Sequence, residues 1–293
     1  MSQIYHNYTQ EELKEMQRIN LEMAVIFFDF CKERNLTAYF CGGGCIGAIR
    51  HGGFIPWDDD LDFFMPRKDY EAFVSLWNTY EPGSELALSD SDENFNDHNL
   101  FATLRHRETT YIKPYQKQVD MVHGVQLDII PLDGYPDGKW QRKMQCMWAL
   151  IYSLFRAQTI PEKHGGVLAL GSRLLLGLFR GKKLRYRIWK FAKKKMTKYD
   201  ISECKGITEL CSGPGYMKNW YDKEWFDHYI LKDFEGRKMP LPVGYDAYLR
   251  TAFGNYMELP KEEDRVSHHD CVYLDLKHSY KKYRGIYYMT EEA

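Results

Sequence analysis

Residues 38–65 read AYFCGGGCIGAIRHGGFIPWDDDLDFFM: a short apolar run, three consecutive glycines, a Gly-Phe-Ile-Pro-Trp loop, and an acidic cluster running straight into an apolar one. Ala38 to Cys41 reads as a short strand, and Cys45 to His51 as a short helix opened by the glycines. After the loop Gly52 to Trp57, Asp60 to Met65 reads as a second strand. Alternate side chains of a strand share a face, so Asp60 and Asp62 should point together while Leu61 and Phe63 enter the core. Two carboxylates side by side repel each other unless a cation lies between them. Oxygen-only ligands suit Mg²⁺ or Mn²⁺. The rival account is a solvated acidic turn; Trp57 and Phe63-Phe64-Met65 on its flanks argue against it. Gly42, Gly43 and Gly44 would present bare backbone amides at a helix N-terminus, an arrangement that attracts phosphate. The run also matches the GxGxxG dinucleotide fingerprint. That fold, however, expects a single acid about 20 residues further on, and here a long helix precedes the glycines.

Composition narrows the function classes. The 293 residues carry 40 Lys and Arg against 41 Asp and Glu, a net charge of -1, which excludes a globally basic nucleic-acid binder. Seven cysteines form no CxxC pair and have irregular spacing, so reduced thiols fit better than a disulfide framework. The polar, acidic start of the chain has no signal-peptide core. No apolar run reaches the roughly 18 residues of a membrane span. Val167 to Phe179 comes nearest and is interrupted by Arg173. The expectation is a cytoplasmic protein.

Working outward, Thr9 and Glu12 form a capping-box signature ahead of an amphipathic helix over residues 10–35. Arg67 to Tyr80 reads as a helix, Leu100 to Tyr115 as two short strands, and Val125 to Pro131 as a strand ending at the proline. Residues 138–160 and 164–199 are helical by pattern, and Tyr245 to Phe253 is a further helix. From Lys163 to Tyr199 there is no acidic residue. That block suits either an interfacial membrane helix or a helical subdomain with a solvated basic face. The expected fold is one α/β (α+β) core with a helical insertion: residues 1–137 as the catalytic core, 138–200 as the basic insertion, and 201–293 completing the core.

Asp128, between Leu127 and Ile129, is costly to bury without a partner. It is a third carboxylate for a metal site, or the mate of Arg105 or Arg107. Asp133, beyond the proline, reads as a turn residue. Arg50 and His51 follow the glycine turn and are candidates for phosphate contacts, as are Arg105 and Arg107, which should alternate on a strand. Trp57, Asp58, Asp59, His268 and His269 are weaker candidates for substrate contact. Trp57, Tyr111 and Tyr115 could box a quaternary ammonium or simply pack.

Gly42-Gly43, Gly47-Ala48-Ile49-Arg50-His51 and Gly53 to Asp62 together closely resemble the signature of the LicD family, which includes bacterial phosphocholine transferases and is related to fukutin-type ribitol-phosphate transferases. The similarity continues through Leu127 to Gly134, Phe253 to Pro260 and Arg265 to His269. It departs from the family at Gly44, where threonine is usual, and at Cys41, where aspartate is frequent. The resemblance implies a nucleotidyltransferase-like fold of the DNA-polymerase-β superfamily. It also implies transfer of a phospho-alcohol from a CDP-activated donor to a hydroxyl of a cell-surface glycan, free or lipid-linked, with release of CMP. Asp60, Asp62 and Asp128 then become the metal-binding and catalytic acids, with Mg²⁺ or Mn²⁺ as cofactor and Gly42, Gly43 and Gly44 at the donor phosphates. Two alternatives remain: a nucleotidyltransferase releasing pyrophosphate from a triphosphate, and a non-catalytic glycan-binding module.

Overall fold

A computed structural model describes residues 6, 8–80, 83–159, 166–267 and 269–291, without the side chains of 166–168. His268 and, of the expected helices, residues 160, 164 and 165 lie outside the described residues. The chain divides into two compact units: Met1–Ser89 with Ala102–Ile130 and Glu224–Ala293, and Asp90–Phe101 with Pro131–Lys223.

The first unit opens with helix α1 (Gln10–Glu33), started by the capping box of Thr9 and Glu12. Strand β1 (Tyr39–Phe40) leads into helix α2 (Gly42–Arg50) and then strand β2 (Asp62–Pro66). Helix α3 (Arg67–Tyr80) and strands β3 (Leu86–Ser89), β4 (Ala102–His106) and β5 (Thr110–Ile112) follow. Strand β6 (Gln126–Tyr135) begins in this unit and sets the sheet order β1-β2-β6-β4-β3. Leu61, Phe63 and Met65 are buried as the alternation requires, and Phe63 meets Phe27 of α1 at 4.8 Å. Phe64 is buried as well, so β2 is covered on both faces. Two departures bear on the site. The strand begins at Asp62, leaving Asp60 in the extended segment before it, and α2 begins at Gly42 rather than Cys45, so the glycines form its first turn.

After the second unit the chain returns as a hairpin of β9 and β10, after the short strands β7 (Gly206–Thr208) and β8 (Tyr221–Asp222). In the hairpin, β9 (Tyr229–Phe234) pairs antiparallel with β10 (Arg237–Pro242). Its two turn residues, Glu235 and Gly236, both have positive φ, the geometry that matches strand twist in a two-residue turn. Helix α7 spans Tyr245–Phe253, and β11 (Tyr273–Asp275) pairs with β5.

The second unit holds helices α4 (Lys139–Ala157), α5 (Gly166–Leu178) and α6 (Lys182–Met196), with β7 and β8. The expected helix over 164–199 is broken: Gly181, at φ +100°, turns the chain between α5 and α6. Nor does β6 end at Pro131. Residues 126–129 pair with residues 102–105 of β4, while residues 133–135 pair with β7. Pro131 falls between the stretch paired with β4 and the stretch paired with β7. Asp133 is therefore a buried strand residue opposite Thr208, not a turn residue. Among the described residues no helix is long and apolar enough to cross a membrane.

Glu209, just beyond β7, is buried and accepts a hydrogen bond from the Tyr221 hydroxyl. Burial pushes its carboxyl up to about 7, partly offset by the hydrogen bond from Tyr221. The unfolded chain releases this proton near 4.5, so the stability from neutral Glu209 is full below that pH and is lost as pH rises through 7. The swing is on the order of 3 kcal/mol. Melting temperature followed from pH 5 to 8 should fall in the parent and fall less in Glu209→Gln; parallel curves would show that Glu209 does not set the slope.

Candidate active site

Every residue that builds the site belongs to the first unit. Helix α1 fixes the acidic loop by its main chain: Gln17 Nε2 donates to the Asp58 carbonyl at 2.8 Å, and Asn20 Nδ2 donates to the Asp59 carbonyl at 3.0 Å. Gln17 and Asn20 are three residues apart, so they share one face of the helix. From the other side, the Cys41 N–H donates to the Asp62 carbonyl at 3.1 Å and places the start of α2 against the carboxylates. Gly42 adopts φ +48°, and its N–H donates to the Tyr248 hydroxyl at 3.0 Å. A methyl group at Gly43 would overlap an Asp58 carboxylate oxygen. Gly42 is demanded by its positive φ, and Gly43 by the Asp58 carboxylate against it.

Asp58, Asp60 and Asp62 are half-buried, whereas Asp59 is only 3% exposed. His269 Nδ1 lies 2.9 Å from Asp59 Oδ1, and its Nε2 lies 3.3 Å from Asp60 Oδ2. Ligand atoms of Asp59, Asp60 and His269 all fall within 4.8 Å of one another. Burial alone would lower the His269 imidazole, but the charges of Asp60 and Asp59 outweigh it and push it up to about 10. Burial would raise Asp59, yet the hydrogen bond and the charge of His269 hold it below the usual carboxylate range. Asp62 is pushed well up by burial and then by the charges of Asp60 and Asp128. Asp58 is pushed up by burial and then by Asp60 and Asp59. Asp60 is also raised, burial and the neighbouring carboxylates outweighing His269 and Lys113. The site holds more negative charge than its own cations neutralise.

Asp128 stands on β6 opposite Thr103 of β4 and accepts a hydrogen bond from Gln126 Nε2 at 2.8 Å. Its charge is felt at both Asp60 and Asp62. Thus the acids near residue 60 and the acid at 128 form one electrostatic group. A cleft beside them is lined by Asn20, Asp59, Asp60, Lys113, Gln126 and His269.

The remaining candidates sit further out or serve the fold. Arg50 donates to the carbonyls of Tyr256 at 2.7 Å and Glu258 at 3.3 Å, fastening the turn that follows α7. His51 is exposed, edge-on to Trp57 at 6.4 Å, and Arg265 lies over the Trp57 ring. Arg105 is completely buried on β4 and donates to Thr103 and Gln116. Arg107 lies one residue past the strand end, so the expected alternation of the two on one strand does not hold. A side chain at Gly44 would meet Leu61 and Phe40 at 3.1 and 3.4 Å; this position faces apolar packing rather than the carboxylates. Tyr111 is buried, with its hydroxyl 3.3 Å from that of Tyr8, and Tyr115 is exposed. Lys113, Asn20 and Gln17 were not singled out from the sequence. Asn20 interrupts the apolar stripe of α1 between Met16 and Met23 and is fully buried, a polar residue at a core position that the pattern itself displays; Gln17 beside it carries no such signal.

Two comparisons place the chain among known proteins. Residues 35–164 match the LicD family, described as LicD/FKTN/FKRP, nucleotidyltransferase domain. The chain is also 31% identical over 273 residues to the lipopolysaccharide cholinephosphotransferase LicD of Haemophilus influenzae, covering 88% of this chain and 96% of that protein.

The packing of Gly43 on Asp58 can be tested directly. Gly43→Ala should cost about 1–3 kcal/mol of stability through overpacking. Combined with Asp58→Ala, most of that loss should disappear, because the methyl then has room. Strictly additive losses in thermal or urea unfolding would mean that the two residues do not touch.

Proposed function

The chain belongs to the LicD family, and on that premise we propose that it transfers a phospho-alcohol, phosphocholine foremost, from a CDP-activated donor to a hydroxyl of a cell-surface glycan of the lipopolysaccharide kind. The single observation that carries this is that the charge of Asp128 acts on both Asp60 and Asp62, whose carboxyls burial and repulsion raise, beside the Gly42-Gly43 turn. The fold we infer is of the nucleotidyltransferase-like, DNA-polymerase-β type.

A divalent cation suits this donor set. Carboxylates whose protonation is favoured by mutual repulsion and burial gain by sharing a cation, and oxygen donors favour Mg²⁺ or Mn²⁺. Asp60, Asp62 and Asp128 are the residues that would hold it; when bound, the ion would neutralise the diphosphate of the donor. The protein's own groups account for the rest. The acceptor oxygen attacks the phosphorus bearing the alcohol, the bond to the CMP oxygen breaks, and Asp128 takes the hydroxyl proton. The first turn of α2 brings backbone amides to the phosphates. His269, held by Asp59, sets a positive charge beside Asp60. Gln17 and Asn20 keep the loop in place while substrates change over.

Asp60→Asn or Asp62→Asn should reduce transfer from CDP-choline at least a hundredfold, a loss typical of removing a group that acts in the transition state. Melting temperature without metal should stay level or rise, since one repulsion is removed. Asp128→Asn should behave the same way. Thermal stabilisation by CDP-choline, CDP-glycerol, CDP-ribitol, CTP and ATP, each with Mg²⁺ or Mn²⁺, would choose among donors. Full activity in an Asn variant, or a preference for triphosphates with pyrophosphate release, would overturn the assignment.

A further inference from the structure

Helix α5 is apolar around nearly its whole circumference, yet only one side of it is packed. Leu176, with Phe179 just beyond the helix, joins the cluster that contains Tyr152 of α4 and Trp189 of α6. Ser172, on the same side, is buried. Leu170, Leu174 and Leu178, at four-residue intervals on the opposite side, are 61%, 66% and 75% exposed. Among the described residues nothing covers that side: a Cβ added at Gly171 or Gly177 would meet open space. A leucine stripe in water marks an interaction surface. With 13 residues the helix is too short to cross a bilayer but long enough to lie on one.

The charge around the stripe says what would cover it. Beyond Leu178, the chain passes exposed Arg180, Lys182 and Lys183 before reaching exposed Leu184. Lys190 and Lys194 continue the basic side of α6, and no acid occurs between Lys163 and Tyr199. Arg185 has a different task. It donates to the carbonyls of Leu176 and Phe179 at 2.8 and 3.0 Å and to Gln158 at 2.5 Å, closing the end of α5.

We propose that α5 and the basic turn after it form a docking surface for a membrane rich in anionic phospholipid. Leu170, Leu174 and Leu178 enter the headgroup boundary, while Arg180, Lys182 and Lys183 meet the lipid phosphates. A second copy of this chain would set like charge against like charge, and a nucleic acid would leave the leucines wet. The surface is built from the second unit alone and stands whether or not the transfer reaction above is correct.

The test is co-sedimentation of the full chain with vesicles of phosphatidylcholine, with and without phosphatidylglycerol. The parent should bind the mixed vesicles, not the neutral ones, and should be released by high salt. Lys182→Gln with Lys183→Gln should weaken partitioning roughly 25-fold, about fivefold for each charge. Leu174→Glu with Leu178→Glu should abolish it at unchanged melting temperature, both side chains being exposed. Failure of the parent to bind mixed vesicles overturns the proposal, whatever the variants do. So does binding that is indifferent to both pairs of substitutions. Concentration-dependent dimers lost in the leucine variant, without vesicle binding, would assign the surface to a second copy instead.

Discussion

Like-charge repulsion is the constraint around which the first unit is arranged. Four aspartates lie within five residues, and a fifth reaches them electrostatically from β6. Left alone, such a cluster would open into water. Here α1 grips the loop from one side, the Cys41 N–H ties its end to the start of α2, and His269 places a positive charge between Asp59 and Asp60. The packing of Leu61 and Phe63 supplies the force that keeps the carboxylates together, since unfolding the loop would expose both. Strain that serves a site is paid for by its surroundings.

The same constraint explains the glycines. A triple glycine after a strand invites a nucleotide-loop interpretation, but each glycine meets a different neighbour. Gly42 needs its positive φ, Gly43 gives way to Asp58, and Gly44 gives way to Leu61 and Phe40. A threonine hydroxyl at position 44 would therefore point into apolar packing in this chain.

Much of the architecture was legible because it is local. The capping box and the 3.6-residue period place α1, and the same period finds α3 and α7 with their observed limits. Local signals fail where a neighbour in space decides. Pro131 looks like a strand end until β4 and β7 are seen to use different parts of β6. The β9–β10 hairpin hides behind a turn whose first residue, Glu235, is not a usual left-handed residue; its side chain accepts from the Phe54 N–H. At the site, the acids announce themselves by density, but the Asp59–His269 contact joins residues 210 positions apart, and no local pattern encodes it. Lys113 is silent for the same reason: a lone lysine after a short strand looks like surface until its burial is known.

Gln17 and Asn20 hold the acidic loop by its carbonyl oxygens, not by its carboxylates. Backbone oxygens are present whatever side chain a position carries. The shape of the loop is thus decoupled from its side-chain chemistry: substitutions among residues 58–60 can change the charge the loop presents without removing the hydrogen bonds that hold it. A frame anchored on the main chain tolerates such exchanges at little cost in stability, whereas a frame anchored on the carboxylates would lose its grip with every one of them.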